Sequence, residues 1–353
     1  MGTPPLCELT TLRLGGPAER IVDAPRDDVL LEAVRAADAA QEPLLVLAGG
    51  SNVVVADGGF PGTVVRVQTR GVDSFQMSDG RLALDVAAGE SWDGLVAACA
   101  EQQLSGIEAL SGIPGSVGAT PIQNVGAYGQ EVADVIVGVR VLDRLSGEVH
   151  DLDNEACLFD YRSSVFKRDP GRWLVLRVRF ALERAAQSEP VRYAELARRL
   201  GIAEGARAPL ADVREAVLEL RRGKGMVLDG EDPDTYSAGS FFTNPILRAR
   251  DFDAFAQRVA ERLGADVRPP AWPVAERLVK TSAAWLIERA GFRPGHGDPR
   301  GIAISSKHTL ALTNRGGGTT QELVALAREI AGGVHEAFGV ALVPEPVFVG
   351  HEW

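Results

Sequence analysis

Several short stretches of this 353-residue sequence carry residue types that could do chemistry. Gly49-Gly50-Ser51-Asn52 follows an apolar run, and with no Cβ in the way its backbone N–H groups could approach a phosphate closely. The same four residues also suit a plain tight turn between strands. Ser111-Gly112-Ile113-Pro114-Gly115-Ser116-Val117-Gly118-Ala119 places glycines at 112, 115 and 118. That spacing is neither G-x-G-x-x-G nor a loop ending in GK[ST], so Rossmann and Walker A nucleotide sites are counted out. A loop with this many Cβ-free positions can still wrap a pyrophosphate or receive a flat ring, or it can be structural. Gln123-Asn124-Val125-Gly126-Ala127-Tyr128-Gly129 sets amides and a phenol among small residues, as a ligand surface or as caps for loop backbone. In Tyr161-Arg162-Ser163-Ser164-Val165-Phe166-Lys167, Arg162 could grip a carboxylate with two donors, or be a surface charge. Ser240, inside Ser237-Ala238-Gly239-Ser240-Phe241-Phe242-Thr243-Asn244-Pro245, could pass a proton to a developing carbanion, or be a satisfied turn hydroxyl. Glu345 is framed by Pro344 and Pro346, which restrict its backbone, in a rigid site or an exposed loop.

Other chemistries lack support. No H-E-x-x-H, C-x-x-C or G-x-S-x-G occurs, and the five histidines show no metal-ligand spacing, so no metal is expected. The net charge of -11 disfavours general nucleic-acid binding, although a few cations or helix N-termini can still hold phosphates locally. Cys7, Cys99 and Cys157 are odd in number and widely spaced, which fits reduced thiols in a cytoplasm better than a disulfide framework. No signal peptide and no membrane insertion are expected.

The elements that must position these residues are legible from periodicity. Apolar positions at helical spacing predict helices over 27–40, 91–103, 191–200, 210–222, 251–263, 282–290 and 319–338, with Ser91 as an N-cap. Short apolar runs predict strands at 44–47, 53–55, 64–67, 82–86, 135–142, 148–151, 173–182, 302–304, 309–312 and 347–349. Between them lies a long loop, 104–130, whose interspersed apolar residues argue for order and function. The length asks for two or three domains, and the polar stretch 223–240 reads as a joint.

No single motif decides the function, but their order does. GGSN, GIPGSVGATPIQNVGAYG, YRSSVFK, AGSFFTNP, AAWLIERAGFRPG and PEP, in that sequence, resemble the UDP-N-acetylenolpyruvoylglucosamine reductases over about residues 8 to 350. The resemblance implies an α+β protein with an FAD-binding fold of the vanillyl-alcohol-oxidase type, made of two α/β subdomains, plus a smaller α/β substrate domain. The implied limits are 1–70 and 71–224 for the FAD-binding subdomains, with a C-terminal strand from 340–353 returning to the second, and 225–339 for the substrate domain. Tyr193 looks like the tyrosine of the family type with a helical insertion over the substrate.

The implied reaction is the reduction of UDP-N-acetylglucosamine enolpyruvate to UDP-N-acetylmuramate, with hydride passing from NADPH to non-covalent FAD and then to the enolpyruvyl group. Arg162 and a protonated Glu345 match residues that polarise the substrate carboxylate, and Ser240 matches the proton donor. Gly49, Gly50, Ser51, Asn52, Gly115, Ser116 and Gly126 match FAD-contacting positions. Tyr193, Lys224 and Asn244 match holders of the diphosphate, while Gln123, Asn124 and Tyr128 lie in the loop nearest flavin and sugar. An oxidase of the same fold acting on an alcohol or sugar shares the glycine loops but has no need of the Arg162, Ser240 and Glu345 set. A nucleotide-sugar binder that has lost its chemistry is the third reading.

Overall fold

The runs Leu44–Leu47 and Val53–Val55 are both strands, but they belong to different sheets. The structure, a computed structural model, describes residues 4–353, and chain contacts divide them into two units. The first comprises Ala18–Gly50 and Phe60–Val227; the second comprises Pro4–Pro17, Ser51–Gly59 and Leu228–Trp353.

In the first unit, strands Ala18–Ala24, Phe60–Val67 and Leu44–Leu47 form a parallel sheet in that order. Helix Asp27–Ala40 supplies Leu30, Ala33, Val34 and Ala37 to the core from one face. Asp27 and Asp28 in its first turn complement the positive end of the helix dipole. A larger antiparallel sheet runs Glu148–Asp153, Ile136–Asp143, Trp173–Arg184, Leu82–Ala87, Val72–Gln76, and Leu104–Ser105 pairs with the end of the long third strand. Helix Trp92–Glu101 packs its Trp92, Leu95, Val96 and Cys99 into the same core, and Ser91 Oγ caps it by accepting from the Gly94 N–H at 3.3 Å. Helices Ala194–Leu200 and Leu210–Gly223 share a smaller core of Leu196, Ala197, Val213, Ala216 and Val217.

The second unit packs helices Ala249–Leu263, Ala283–Arg289 and Thr320–Phe338 around a core that includes Phe241, Phe242 and Phe338, all fully buried. Each such ring contributes roughly 1.5–3 kcal/mol by leaving water. Strand Val53–Val55 pairs in parallel with Val347–Val349. Asp57 accepts hydrogen bonds at 2.8 and 3.0 Å from the Thr320 and Gln321 N–H groups, so a residue of the early segment caps the last long helix.

One expectation about organisation needs correction. The two expected FAD-binding stretches lie together in the first unit apart from 4–17 and 51–59, and of the expected 1–70 stretch, residues 1–3 lie outside the described residues. The strand from 340–353 does not return to the 71–224 stretch but pairs with Val53–Val55. Both edges of the large sheet, Glu148–Asp153 and Val72–Gln76, are largely exposed, whereas Val54 and Val55 are fully buried and offer an apolar partner.

Candidate active site

The two glycine loops of the first unit meet backbone to backbone. A Cβ placed on Gly49 would stand 2.8 Å from the Gly115 Cα, so position 49 must lack a side chain for this approach. Gly50 and Gly115 have φ of 60° and 118°. The second loop is anchored by the Trp92 N–H donating to the Gly115 carbonyl and by Val117 and Gly118 donating to the Glu90 and Ala88 carbonyls. Beside these bonds the Ser116 hydroxyl is buried with no hydrogen-bond partner among the described residues. A buried orphan oxygen in a glycine cradle is what a polar ligand would satisfy, and these residues fit an FAD pyrophosphate. Ser51 and Asn52 follow in the segment assigned to the second unit, where the Asn52 carbonyl accepts from the Val347 N–H at 2.9 Å.

Arg162 sits at the corner of a tight turn in which Asp160 and Ser163 exchange two backbone hydrogen bonds of 3.0 Å. Its φ of 52° is left-handed, an uncommon conformation for a residue with a long side chain. The guanidinium donates to the Asn124 carbonyl at 3.3 Å and the Gly126 carbonyl at 2.6 Å. Gly126 is tightly enclosed, since a Cβ there would lie 2.8 Å from Glu131 Cγ and 3.1 Å from Arg162 Nη1. Asn124 is buried, its amide donating to Glu131 Oε2 at 2.7 Å and the Asp160 carbonyl at 3.1 Å, while its Oδ1 accepts from the Ala133 N–H at 3.1 Å. Asn124 therefore ties the 124–126 loop to the Arg162 turn, and its side chain faces protein. Gln123 lies in the preceding turn, where the Asn124 N–H donates to the Pro121 carbonyl.

Three expected substrate residues converge on the first unit. Tyr128 and Tyr193 meet edge-on with centroids 5.3 Å apart, and Lys224 Nζ lies 5.9 Å from the Tyr128 ring. Lys224 also pairs with Glu195 at 2.7 Å. Burial pulls the Lys224 ammonium pKa down, but the Glu195 hydrogen bond and the nearby phenols outweigh it and raise the value. Burial raises the Tyr128 phenol, with Lys224 and Arg221 opposing. Tyr193 stands before helix Ala194–Leu200 and is exposed, so a cation and two phenols are presented together.

In the second unit the Ser240 and Glu345 segments run side by side. The Glu345 N–H donates to the Phe241 carbonyl at 2.9 Å, the Thr243 N–H to the Val343 carbonyl at 3.0 Å, and the Phe241 N–H to the Leu310 carbonyl at 2.7 Å. Gly239, with φ of 73°, makes the turn before Ser240. Asn244 Oδ1 accepts from the Ala283 N–H at 3.0 Å, at the start of helix Ala283–Arg289. Arg162 belongs to the first unit, Ser240 and Glu345 to the second.

The sequence reading passed over several residues that build these sites. Glu108, buried in the long loop, accepts from the Gly106 N–H, the Gln130 amide and the Glu189 N–H at 2.7–3.0 Å. Nothing in its surroundings in sequence separates it from a surface acid. Arg221, three residues before Lys224, has a buried Nε without a partner among the described residues, and desolvation lowers its pKa.

The first unit thus carries a glycine cradle with an unsatisfied hydroxyl, a guanidinium turn and a phenol–lysine cluster, a set that suits a cofactor-binding enzyme, and comparison with known proteins gives its class. A profile of the FAD binding domain matches residues 19–153, and one of the UDP-N-acetylenolpyruvoylglucosamine reductase C-terminal domain matches 232–349. The chain is thus an FAD-dependent oxidoreductase. It is 59% identical over 347 residues to the UDP-N-acetylenolpyruvoylglucosamine reductase of Streptomyces coelicolor, covering 98% of this chain and 89% of that one. The Thermobifida fusca protein of that name is 57% identical, covering 98% and 97%. The crystal structure of the Thermus caldophilus reductase superposes with a TM-score of 0.64 at 25% identity, over 98% of this chain and 97% of that one. This chain belongs to the UDP-N-acetylenolpyruvoylglucosamine reductase family.

Proposed function

We propose that this chain reduces the enolpyruvyl ether of UDP-N-acetylglucosamine enolpyruvate to the lactyl ether of UDP-N-acetylmuramate, in the cytoplasmic supply of peptidoglycan precursor, and that Arg162, Ser240 and Glu345 carry the step. FAD, when bound, supplies the hydride it has received from NADPH. Gly49, Gly50, Ser51, Asn52, Gly115, Ser116 and Gly126 would hold it, with Ser116 Oγ making the polar contact it otherwise lacks. No His or Cys occurs at 49–52 or 112–118, which supports a non-covalent site. Tyr128, Tyr193 and Lys224 hold the diphosphate of the sugar nucleotide, Asn244 adds an amide, and Gln123 borders the sugar. Unpaired Cys7, Cys99 and Cys157 support a reducing compartment. No described helix is long and apolar enough to cross a membrane.

Hydride arriving at C3 of the enolpyruvyl group drives negative charge onto C2 and the carboxylate. The Arg162 guanidinium and a protonated Glu345 stabilise that charge where it develops. Ser240 gives C2 a proton, which a serine can do only when held in place and shielded from water. The observation that carries the reading is the Glu345 N–H to Phe241 carbonyl bond, which sets the carboxyl-bearing and hydroxyl-bearing segments next to each other. Anaerobic spectroscopy tests it. NADPH should bleach the yellow holoenzyme, and the enolpyruvyl sugar alone should restore the colour in one turnover. Colour restored by air but not by the sugar would instead identify an oxidase.

A further inference from the structure

The indole of Trp353 touches the rings that follow both proton-handling residues of the second unit. Its centroid lies 6.4 Å from Phe241, 5.9 Å from Phe242 and 5.9 Å from Phe348. Phe241 and Phe242 come directly after Ser240, and Phe348 stands three residues after Glu345. Phe241 meets Phe242 edge-on at 5.2 Å and Phe348 at 6.2 Å, so the four rings form one cluster. The segment bearing the indole is itself tied down. Arg328 Nη2 donates to the Glu352 carbonyl at 2.8 Å, and the Ala56 N–H donates to the Val349 carbonyl at 2.8 Å.

We propose that Trp353 is a positioning residue for the reduction step, setting through this cluster where the Ser240 hydroxyl and the Glu345 carboxyl stand. The inference rests on the reading of Ser240 as proton donor. Backbone bonds at Phe241 fix its height on the neighbouring segments, but a strand can still tilt about such bonds. What its side chains rest against opposes the tilt. Phe241 and Phe242 are 0% and 1% exposed, whereas Trp353 is 43% exposed and forms the outer wall. Removing it opens the cluster to water rather than leaving a sealed cavity, so the fold should survive while the alignment relaxes. Proton transfer depends steeply on geometry, and a misplacement of about 1 Å can cost on the order of 10²-fold.

Half-reactions of the holoenzyme, followed by stopped-flow flavin absorbance, provide the test. Trp353→Ala should leave reduction by NADPH unchanged and slow reoxidation by the enolpyruvyl sugar about tenfold in the maximal rate, a loss of geometry and not of binding. Its solvent deuterium isotope effect on that step should exceed that of the natural protein, because proton delivery becomes more limiting. Trp353→Phe should restore most of the rate. Trp353→Leu, which keeps apolar bulk without the ring, guards against a folding defect and should show the same split. In a Ser240→Ala background Trp353→Ala should slow the step clearly less than it does in the natural protein, the remainder acting through Glu345, since coupled residues do not add. Equal slowing of both half-reactions, an unchanged isotope effect, or full additivity with Ser240→Ala would overturn the inference. Ser240→Ala slow with Trp353→Ala normal sinks only this inference; Ser240→Ala with normal reoxidation sinks the Ser240 reading and this inference with it.

Discussion

Gly49→Ala isolates the close approach of the two glycine loops. The new Cβ would stand 2.8 Å from Gly115 Cα and 3.3 Å from its carbonyl carbon. Non-bonded carbons rest about 3.5–4.0 Å apart, so the loops must separate by roughly 1 Å. Both neighbours are backbone, and no rotamer change relieves the overlap. Gly49 itself does not occupy the left-handed region, so the substitution adds no torsional strain. Overpacking of this kind costs about 1–3 kcal/mol. The flavin-free protein can let the loops drift apart, whereas the bound form needs both against one pyrophosphate, so most of the cost falls on binding. At about 1.4 kcal/mol per decade, the Kd for FAD should rise about 10- to 100-fold. The assay strips the flavin and titrates it back, reading the change in flavin fluorescence, with thermal melts of the stripped protein alongside. Gly58→Ala is the control, because a Cβ there meets nothing within 4 Å. An unaltered FAD affinity in Gly49→Ala would refute the reasoning, as would an equal loss in Gly58→Ala.

Further outcomes are expected. Ser240→Ala should keep reduction by NADPH nearly intact and cut reduction of the enolpyruvyl sugar by about 10²-fold or more; equal slowing of both steps in stopped-flow traces would contradict the assigned role. Arg162→Ala should harm the sugar step more than FAD retention, and a colourless protein would make Arg162 structural. Asp234 pairs with Arg315 at 2.7 Å and accepts from the Ser306 N–H and hydroxyl. Burial works to raise its pKa, but these partners prevail and lower it. Its contribution is therefore full above the unfolded value near 3.9 and lost as the pH falls through the lower folded value. Asp234→Ala should cost about 3 kcal/mol or more in urea melts at pH 7, and the gap to the natural protein should narrow below about pH 4; a gap that persists there would count against the pairing. Burial pushes the Cys99 and Cys157 thiols up to about 12. Mass spectrometry after iodoacetamide at pH 8 should find the native protein alkylated at half-buried Cys7 alone, and adducts at Cys99 or Cys157 would show that the first unit opens.

The sequence revealed local structure more readily than long-range pairing. Helix Asp27–Ala40 and the Ser91 cap were readable because periodicity and capping chemistry lie within a few neighbouring residues. Strands Val72–Gln76 and Trp272–Ala275 escaped because both are edge strands exposed at every position, with no buried face to imprint an alternating pattern. The ordered motifs led to the family because glycines, amides and a framed carboxylate are distinctive in combination. Sequence alone did not reveal that Asn124 spends its amide on Glu131 and Asp160, since an asparagine turned inward reads like one turned outward. Nor did it reveal that Tyr128, Tyr193 and Lys224 would meet, because separate loops and helices bring them together.

The pairing of Val53–Val55 with Val347–Val349 constrains how the molecule can be made. The partners are about 290 residues apart, so a nascent chain leaving the ribosome must carry an unmatched valine strand until nearly all of it has emerged. Asp57 waits equally long for the helix it caps. The 228–353 stretch, expressed by itself, would lack both that strand and that carboxylate, and supplying residues 4–59 in trans is the natural way to rescue it.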